Sequence, residues 1–419
     1  MAITWQVYTY ERGPSSATLA SILTPSRLSY TQVWNDVGEW MVEVPWTTQA
    51  AAEALGLKRS NFLDIVGNGQ WIIGGPIREL RLAVAENGQP ILRLKGPSYL
   101  TWCRERVVDI WDMEIASPFD LIIVTGGTLD DVIKQIGRDH ITDVYISDAG
   151  IVNPYMAVAA DTSEHPSAGP SYSYWSARLT SVLSEMQRIA WSGEFSSLVS
   201  GVSFAPTPTQ FDVIRTSIGA TPTLTTWVPR AGSDYGIGQT SAVILDLDLM
   251  VDPVYVESAA GVRNSLLVAG TGNGHYRDYG RWNNGASVVA DGAMWGYTNG
   301  HATTVDKQTV QAELAEQGTA QVAASFTIPS DQAGRYLSDF AFGDQLTVQW
   351  RDIQITETIG ALSVDARPGA PDTVRLMVGR RGIEHSGILS PLRAMSARLD
   401  RRLQALEAAP DATYVPPAP

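Results

Sequence analysis

A chain of 419 residues exceeds what one hydrophobic core serves, because single cores stop growing at roughly 250–300 residues, so two or more domains are expected. Apolar residues make up 44% and charged ones 18%, which supplies a core and excludes wholesale disorder. The 30 basic against 44 acidic side chains leave a net charge of −14, the wrong sign for a protein that grips nucleic-acid phosphates.

Taken in chain order, Met1 to Tyr10 reads as an alternating strand rather than a basic segment followed by an apolar run, so no secretory leader is predicted. Leu28 to Trp34 and Trp40 to Val44 flank the turn signal Asn35-Asp-Val-Gly38, a hairpin pattern. Thr48 to Leu57 has helical composition. Phe62 to Val66 and Trp71 to Ile73 pair across Gly67-Asn-Gly69, and Ile77 to Ala85 pairs with Ile91 to Lys95. Short strands closed by glycine-rich turns predict a small barrel or sandwich of these first residues.

After Arg106 the texture changes. Thr128 caps a short helix that carries two first-turn acids and stops at Gly137, and a longer helix is predicted from Tyr174 to Ala190 with Trp175, Leu179, Val182, Leu183, Met186 and Ile189 on one stripe. Strand patterning resumes at Ala242 to Leu249, then at 265–269, 345–350, 354–359 and 373–378, with 305–317 helical between them. Pro391 to Ala408 is a predicted helix with Leu392, Met395, Leu399, Leu403 and Leu406 on one seam, followed by a proline-rich end. The whole reads as an α+β, β-rich chain. Two small β-barrel-like domains (1–110 and 246–383, the second with a helical insertion) flank a mixed α/β insertion (111–245), and 384–419 form a short C-terminal helix and tail.

The search for chemistry is short. Cys103 is the lone cysteine, read as buried in a β context, so disulfides and Cys-x-x-Cys metal sites are excluded. His140, His165, His275, His301 and His385 lie far apart and read as surface or loop residues. No stretch reaches 18 consecutive apolar residues, and no stable membrane anchoring is expected. Gly270-Thr-Gly272-Asn-Gly274 follows a strand but lacks the helix a dinucleotide site needs, which leaves a glycine loop. Asp246 and Asp248 alternate along a predicted strand, where a solvent-facing polar row and a hydrolytic acid pair share one pattern. The 13 tryptophans add a carbohydrate-binding alternative, although Trp34, Trp40, Trp71 and Trp350 sit in strand patterns that core packing explains. No catalytic residue, metal or cofactor is predicted.

Three ordered blocks carry more weight. They are Asn35, Gly38 and Trp40 in the early hairpin; Gly96-Pro-Ser-Tyr-Leu100 leading to Arg106-Val-Val108; and Asn264, Val268, Gly270, Gly272, Gly274 and Arg277, followed by Gly343 and Asp344. This set resembles the tail-tip hub proteins of long-tailed bacteriophages, also called tail-associated or baseplate hub proteins, with Ser98 where that family usually has an acid. The resemblance implies a non-enzymatic homotrimer in the virion tail tip, assembled in the host cytoplasm. In that family two similar β-barrels per subunit build a pseudo-sixfold ring that matches the tail tube, and insertions line the channel for genome ejection. Implied partners are the distal-tail ring protein, the tail tube or tape-measure protein, and central spike or fibre proteins. DNA is passing cargo, since a ring of net negative charge repels phosphates. The wall-degrading modules of some hubs find no counterpart here. A carbohydrate-active enzyme or glycan-binding receptor protein and a hexameric distal-tail adaptor remain as alternatives.

Overall fold

The computed structural model describes residues 3–12, 17–46, 61–84, 88–106, 121–124, 128–142, 153–162, 172–175, 181–191, 209–228, 230–258, 262–269, 279–283, 288–289, 293–299 and 321–379. Strand β1 (Trp5–Arg12) is where the alternation predicted it, and β2 (Ala17–Leu23), which had no strong pattern, pairs antiparallel with it. The hairpin of β3 (Arg27–Val33) and β4 (Asp36–Pro45) is tighter than expected. Only Trp34 and Asn35 connect the strands, with Asn35 at φ 53°, and Gly38 lies inside β4, where a Cβ would stand 2.3 Å from the Thr31 carbonyl. Between β5 (Phe62–Gly67) and β6 (Gln70–Pro76), Asn68 and Gly69 both take positive φ, the reversal that matches strand twist. β7 (Glu79–Val84) and β8 (Pro90–Pro97) pair as expected.

The middle of the chain is mixed, with three departures from expectation. Cys103 sits in a short helix, α1 (Thr101–Arg104), where burial rather than strand pairing hides it. Helix α2 (Leu129–Gly137) starts as predicted, but Gly137 does not stop it. The chain continues as a wider π turn, Arg138–Thr142, and Gly137 is instead a contact point, since a Cβ there would lie 2.5 Å from Leu224 Cδ2. His140 in that turn is buried, not a surface residue. The predicted long helix is divided: β9 (Leu121–Val124) pairs with β11 (Tyr172–Trp175), and α3 (Val182–Trp191) begins eight residues later than expected. The aromatic run Tyr-Ser-Tyr-Trp prefers a pleated surface and found a partner strand there. Two-residue β10 (Ala157–Val158), β12 (Gln210–Ile214) and β13 (Thr223–Trp227) form a three-stranded sheet against which α2 packs.

The remaining strands are β14 (Asp234–Tyr235), β15 (Ile244–Asp246), β16 (Val251–Ser258), β17 (Ser265–Ala269), β18 (Tyr279–Asn283), β19 (Trp295–Asn299), β20 (Gln321–Ile328), β21 (Gln345–Trp350), β22 (Ile353–Ala366) and β23 (Thr373–Gly379). The strand expected through Leu249 ends at Asp246, whose Oδ1 accepts the Asp248 N–H at 3.0 Å and caps a 3-10 turn, Leu247–Leu249. Asp246 and Asp248 therefore share no strand face, and the acid-pair pattern dissolves. β18 returns antiparallel to β17, so the Gly270–Asp278 connection joins two strands rather than a strand and a helix.

Among the described residues no sheet closes on itself, so the two expected barrels are not present as closed units. Instead β22 pairs with β3, which weaves the first and last thirds of the chain into one eleven-stranded sheet that runs β16-β20-β23-β22-β3-β4-β8-β7, with β21, β14 and β15 attached beside β22. In the smaller sheet β2-β1-β5-β6 the central strand β5 is buried along its whole length, while β2 at the edge keeps Leu19 and Ile22 exposed. Alternation decides which side chain goes where. Val7, Leu63 and Ile65 enter the large-sheet core, while Tyr8, Tyr10, Phe62 and Val66 enter a second core with α2 and α3. Each such aliphatic side chain, fully buried, contributes about 1.5–3 kcal/mol. Outside the described residues lie the predicted helices over 48–57, 305–317 and 391–408, with Leu392, Met395, Leu399, Leu403 and Leu406, and the motif positions Gly270, Gly272, Gly274 and Arg277.

Candidate functional site: the junction of sheet and insertion

Asn35 does more than turn a hairpin. Its Nδ2 donates to the Thr209 carbonyl at 2.9 Å, its Oδ1 accepts the Phe211 N–H at 2.8 Å, and its own carbonyl accepts Gln187 Nε2 at 2.7 Å. One side chain thus reads the backbone of β12 as a neighbouring strand would, while α3 grips it from the other side. Asparagine suits both tasks, since it tolerates the left-handed region and offers a donor and an acceptor in one plane.

Beneath it lies a buried charge cluster. Asp64 interrupts the apolar run of β5 and faces the second core, where Arg215 Nε approaches its Oδ2 at 2.8 Å, both side chains at most 2% exposed. That N–H is not aligned on the carboxylate, so the contact is an ion pair rather than a directed hydrogen bond. Directed bonds come from elsewhere. Tyr99 donates to Asp64 Oδ1 at 3.0 Å, Arg215 Nη2 donates to the Tyr99 oxygen at 2.9 Å, and Nη1 donates to the Ala220 carbonyl. The guanidinium also stacks over Tyr10, 4.1 Å from the ring centre, and Tyr10 Oη accepts the Gly219 N–H at 3.2 Å. Space for the carboxylate is made by Gly74, whose absent Cβ would sit 1.9 Å from Asp64 Oδ1.

Burial pushes the Asp64 carboxyl up to about 6, against the lowering pull of Arg215 and the Tyr99 hydrogen bond. Burial alone would lower Arg215, but Tyr99 and Asp64 outweigh it, so the guanidinium stays charged. The sign for stability follows. Unfolded Asp loses its proton near pH 3.9 while the folded residue holds it to about pH 6, so folded protein binds more protons in between and stability falls as pH rises through that window. The expected Asp64 share is about 3 kcal/mol, from roughly two pK units at 1.36 kcal/mol each. Denaturant titrations from pH 4 to 7 measure it as the slope that Asp64→Asn removes, and equal slopes would refute it.

The other motif positions brace backbone. Trp40 Nε1 donates to the Pro97 carbonyl at 3.0 Å, Gly38 N–H donates to Ser98 Oγ at 3.0 Å, and a Cβ on Gly96 would meet the Pro76 carbonyl at 2.1 Å. Gly38 and Trp40 therefore lock β4 to the end of β8, where Ser98 serves as a neutral acceptor, and Gly96 lets β8 approach β6. The Arg106 carbonyl accepts the Val182 N–H at 2.9 Å, which ties the end of the first β unit to α3. Asn264 is fully buried and accepts the Met294 N–H at 2.8 Å, and Val268 lies in β17. Asp344 accepts from Ser233 N–H and Ala341 N–H, both at 2.6 Å, beside Gly343 at φ 94°. Burial raises its carboxyl, and those two N–H groups pull the other way.

The sequence patterns thus missed Asp64, Arg215 and Tyr99. The available signal was an acid within Phe-Leu-Asp-Ile-Val, an otherwise apolar strand, although nothing local identifies Arg215 as its partner. Burial raises the Cys103 thiol far above its usual range, and among the described residues no group of three or more metal-binding side chains assembles. What the geometry does is join the β3–β4 hairpin, β5 and the insertion through buried polar contacts.

The fold has known counterparts. It is similar to a tail protein from Neisseria meningitidis MC58 (TM-score 0.51, 10% identity, 91% of this chain and 98% of that one). It is also similar to the 43 kDa tail protein of prophage MuSo2 from Shewanella oneidensis (TM-score 0.51, 9% identity, 90% and 98%). Prophage tail protein gp18 from Listeria monocytogenes EGD-e matches likewise (TM-score 0.50, 9% identity, 93% and 98%). The class is therefore a phage tail protein, located in the virion tail. Within that class the chain belongs to the siphovirus ReqiPepy6 Gp37-like family, whose model matches residues 14–380. No curated protein matches it in sequence.

Proposed function

We propose that the protein is a homotrimeric, non-enzymatic hub at the distal end of a siphovirus tail, joining the tail tube or distal-tail ring to a central spike or fibre and gating DNA exit. The observation that carries this reading is the pairing of β22 with β3 within a tail-protein fold, which makes one rigid sheet from chain segments more than 300 residues apart. A ring at the end of a tube must bear axial load, and hydrogen bonds along strands resist shear better than a linker between two domains. In this reading 1–110 and 246–383 supply the ring layer, 111–245 is clamped onto it through Asn35 and Arg215, and the 384–419 helix seam, Leu392 to Leu406, meets its copies on the axis.

Native mass measurement on the purified full chain tests it. Three copies are expected; six copies support the adaptor alternative, and a single copy that cleaves glycans supports the enzyme. Removing residues 387–419 is expected to weaken the trimer and the attachment of the central spike, and an unchanged assembly excludes the axial role of that helix.

A further inference from the structure

A cavity of about 490 Å³ lies where β3, the β5–β6 hairpin, the insertion and the loop before β21 meet. Its floor is one face of β12 and β13. Strand alternation places Gln210, Asp212 and Ile214 on that face, with Trp227 directly across from Gln210, and all four line the cavity, while Phe211 and Val213 point the opposite way into the second core. Trp71 and Gln32 form the facing wall and Phe342 closes a third side.

Two acceptors in this lining are left over by the fold. Gln32 donates through Nε2 to the Ile72 carbonyl at 2.9 Å, which leaves its Oε1 buried without a hydrogen-bond partner. Asp212 Oδ1 accepts the Val213 N–H at 2.7 Å, and Oδ2 has no protein donor among the described residues. The nearby Arg215 cannot serve it, because its guanidinium is committed to Asp64, Tyr99 and Ala220. Burial pushes the Asp212 carboxyl up to about 7, with only the Val213 N–H opposing.

We propose that this cavity is a binding site for a neutral saccharide ring. The volume falls within the roughly 300–1,000 Å³ of small-molecule pockets and is larger than one protein side chain fills. A sugar presents what the lining lacks: hydroxyl donors for Gln32 Oε1 and Asp212 Oδ2, and a C–H face for the indoles of Trp71 and Trp227. The site sits on the side of the insertion away from the second core, so it gives a load-bearing tail protein a means of sensing a glycan at the seam between its layers. This does not depend on the number of copies in the ring.

Isothermal titration of the full chain tests it, with methyl α-glucoside, methyl β-galactoside, methyl α-mannoside and N-acetylglucosamine as probes and N-acetylarginine amide as a cationic control. At least one saccharide is expected to bind one per chain, and Asp212→Asn to weaken it by roughly tenfold or more. Gln32→Leu, which leaves the β12 carboxylate in place, supplies a second reading and is expected to weaken the same sugar. The proposal is overturned if no saccharide binds up to roughly 20 mM, where millimolar affinities are measurable. It is equally overturned if binding ignores both substitutions, or if only the arginine derivative binds.

Discussion

Replacing Asp64 with leucine is expected to cost about 3–5 kcal/mol at neutral pH, because an apolar side chain, unlike a protonated carboxyl or an amide, leaves both Arg215 and the Tyr99 hydroxyl without an acceptor. Arg215 is the stranded partner. It is only 3% exposed, it sits over Tyr10, and its remaining bonds to Tyr99 and Ala220 fix its head where water does not reach. For a chain of 419 residues, whose unfolding entropy is about 2.1 cal/mol/K per residue, the loss corresponds to a fall in melting temperature of roughly 3–6 °C. The double substitution Asp64→Leu with Arg215→Met is expected to recover most of it, since apolar replacement of a whole buried pair is often neutral. Recovery stays incomplete because the Tyr99 hydroxyl loses both of its partners. Thermal and denaturant unfolding of the three proteins measure this, and an Asp64→Leu protein as stable as the parent would mean that Arg215 swings out to solvent.

The second large effect belongs to Asn35. Asn35→Ala removes both side-chain bonds to β12, leaves the Thr209 carbonyl and Phe211 N–H unpaired in a buried place, and puts an alanine at φ 53°. Each of the two stranded polar groups costs about 1–3 kcal/mol and the backbone strain about 1–2, so a total of roughly 3–8 kcal/mol is expected. Asn35→Gly keeps the turn and loses only the clasp, so it should recover the strain alone. Hydrogen exchange locates the effect: the amide of Phe211 is expected to lose protection in both variants while the β3–β4 ladder keeps its own. Loss confined to the hairpin would mean that Asn35 serves the turn and not the junction.

Much of this molecule was legible as pattern. The Asn68-Gly69 turn, the β7–β8 hairpin, the Thr128 helix start and the strands from Gln345 to Gly379 follow from turn chemistry and alternation, which act over a few residues. The errors share a cause as well. Trp175 fits a helical stripe with Val182 and Met186, yet β11 forms because β9, some fifty residues earlier, offers its edge. Leu249 completes an alternating run, yet Asp246 caps the backbone first and Leu249 ends 64% exposed. Local pattern states what a segment can do, and the available partner decides among those options.

The candidate site divides in the same way. Asn35 and Gly38 stood out in sequence as a turn signal, and Trp40, Gly96 and Asp344 through the family resemblance; the structure gives the glycines close backbone approaches and Asp344 two backbone N–H donors. Asp64 and Arg215 did not, because an ion pair between residues 151 positions apart has no local signature. By itself the sequence determined the β-rich composition, the hairpins, and a net charge of the wrong sign for gripping phosphates. Only the tertiary structure decided that the first and last thirds share one sheet and that a buried charge pair holds the insertion to the smaller sheet beside it. Strand pairing across long loops depends on which edges and faces remain unburied once everything nearer has paired, and that is a property of the whole chain.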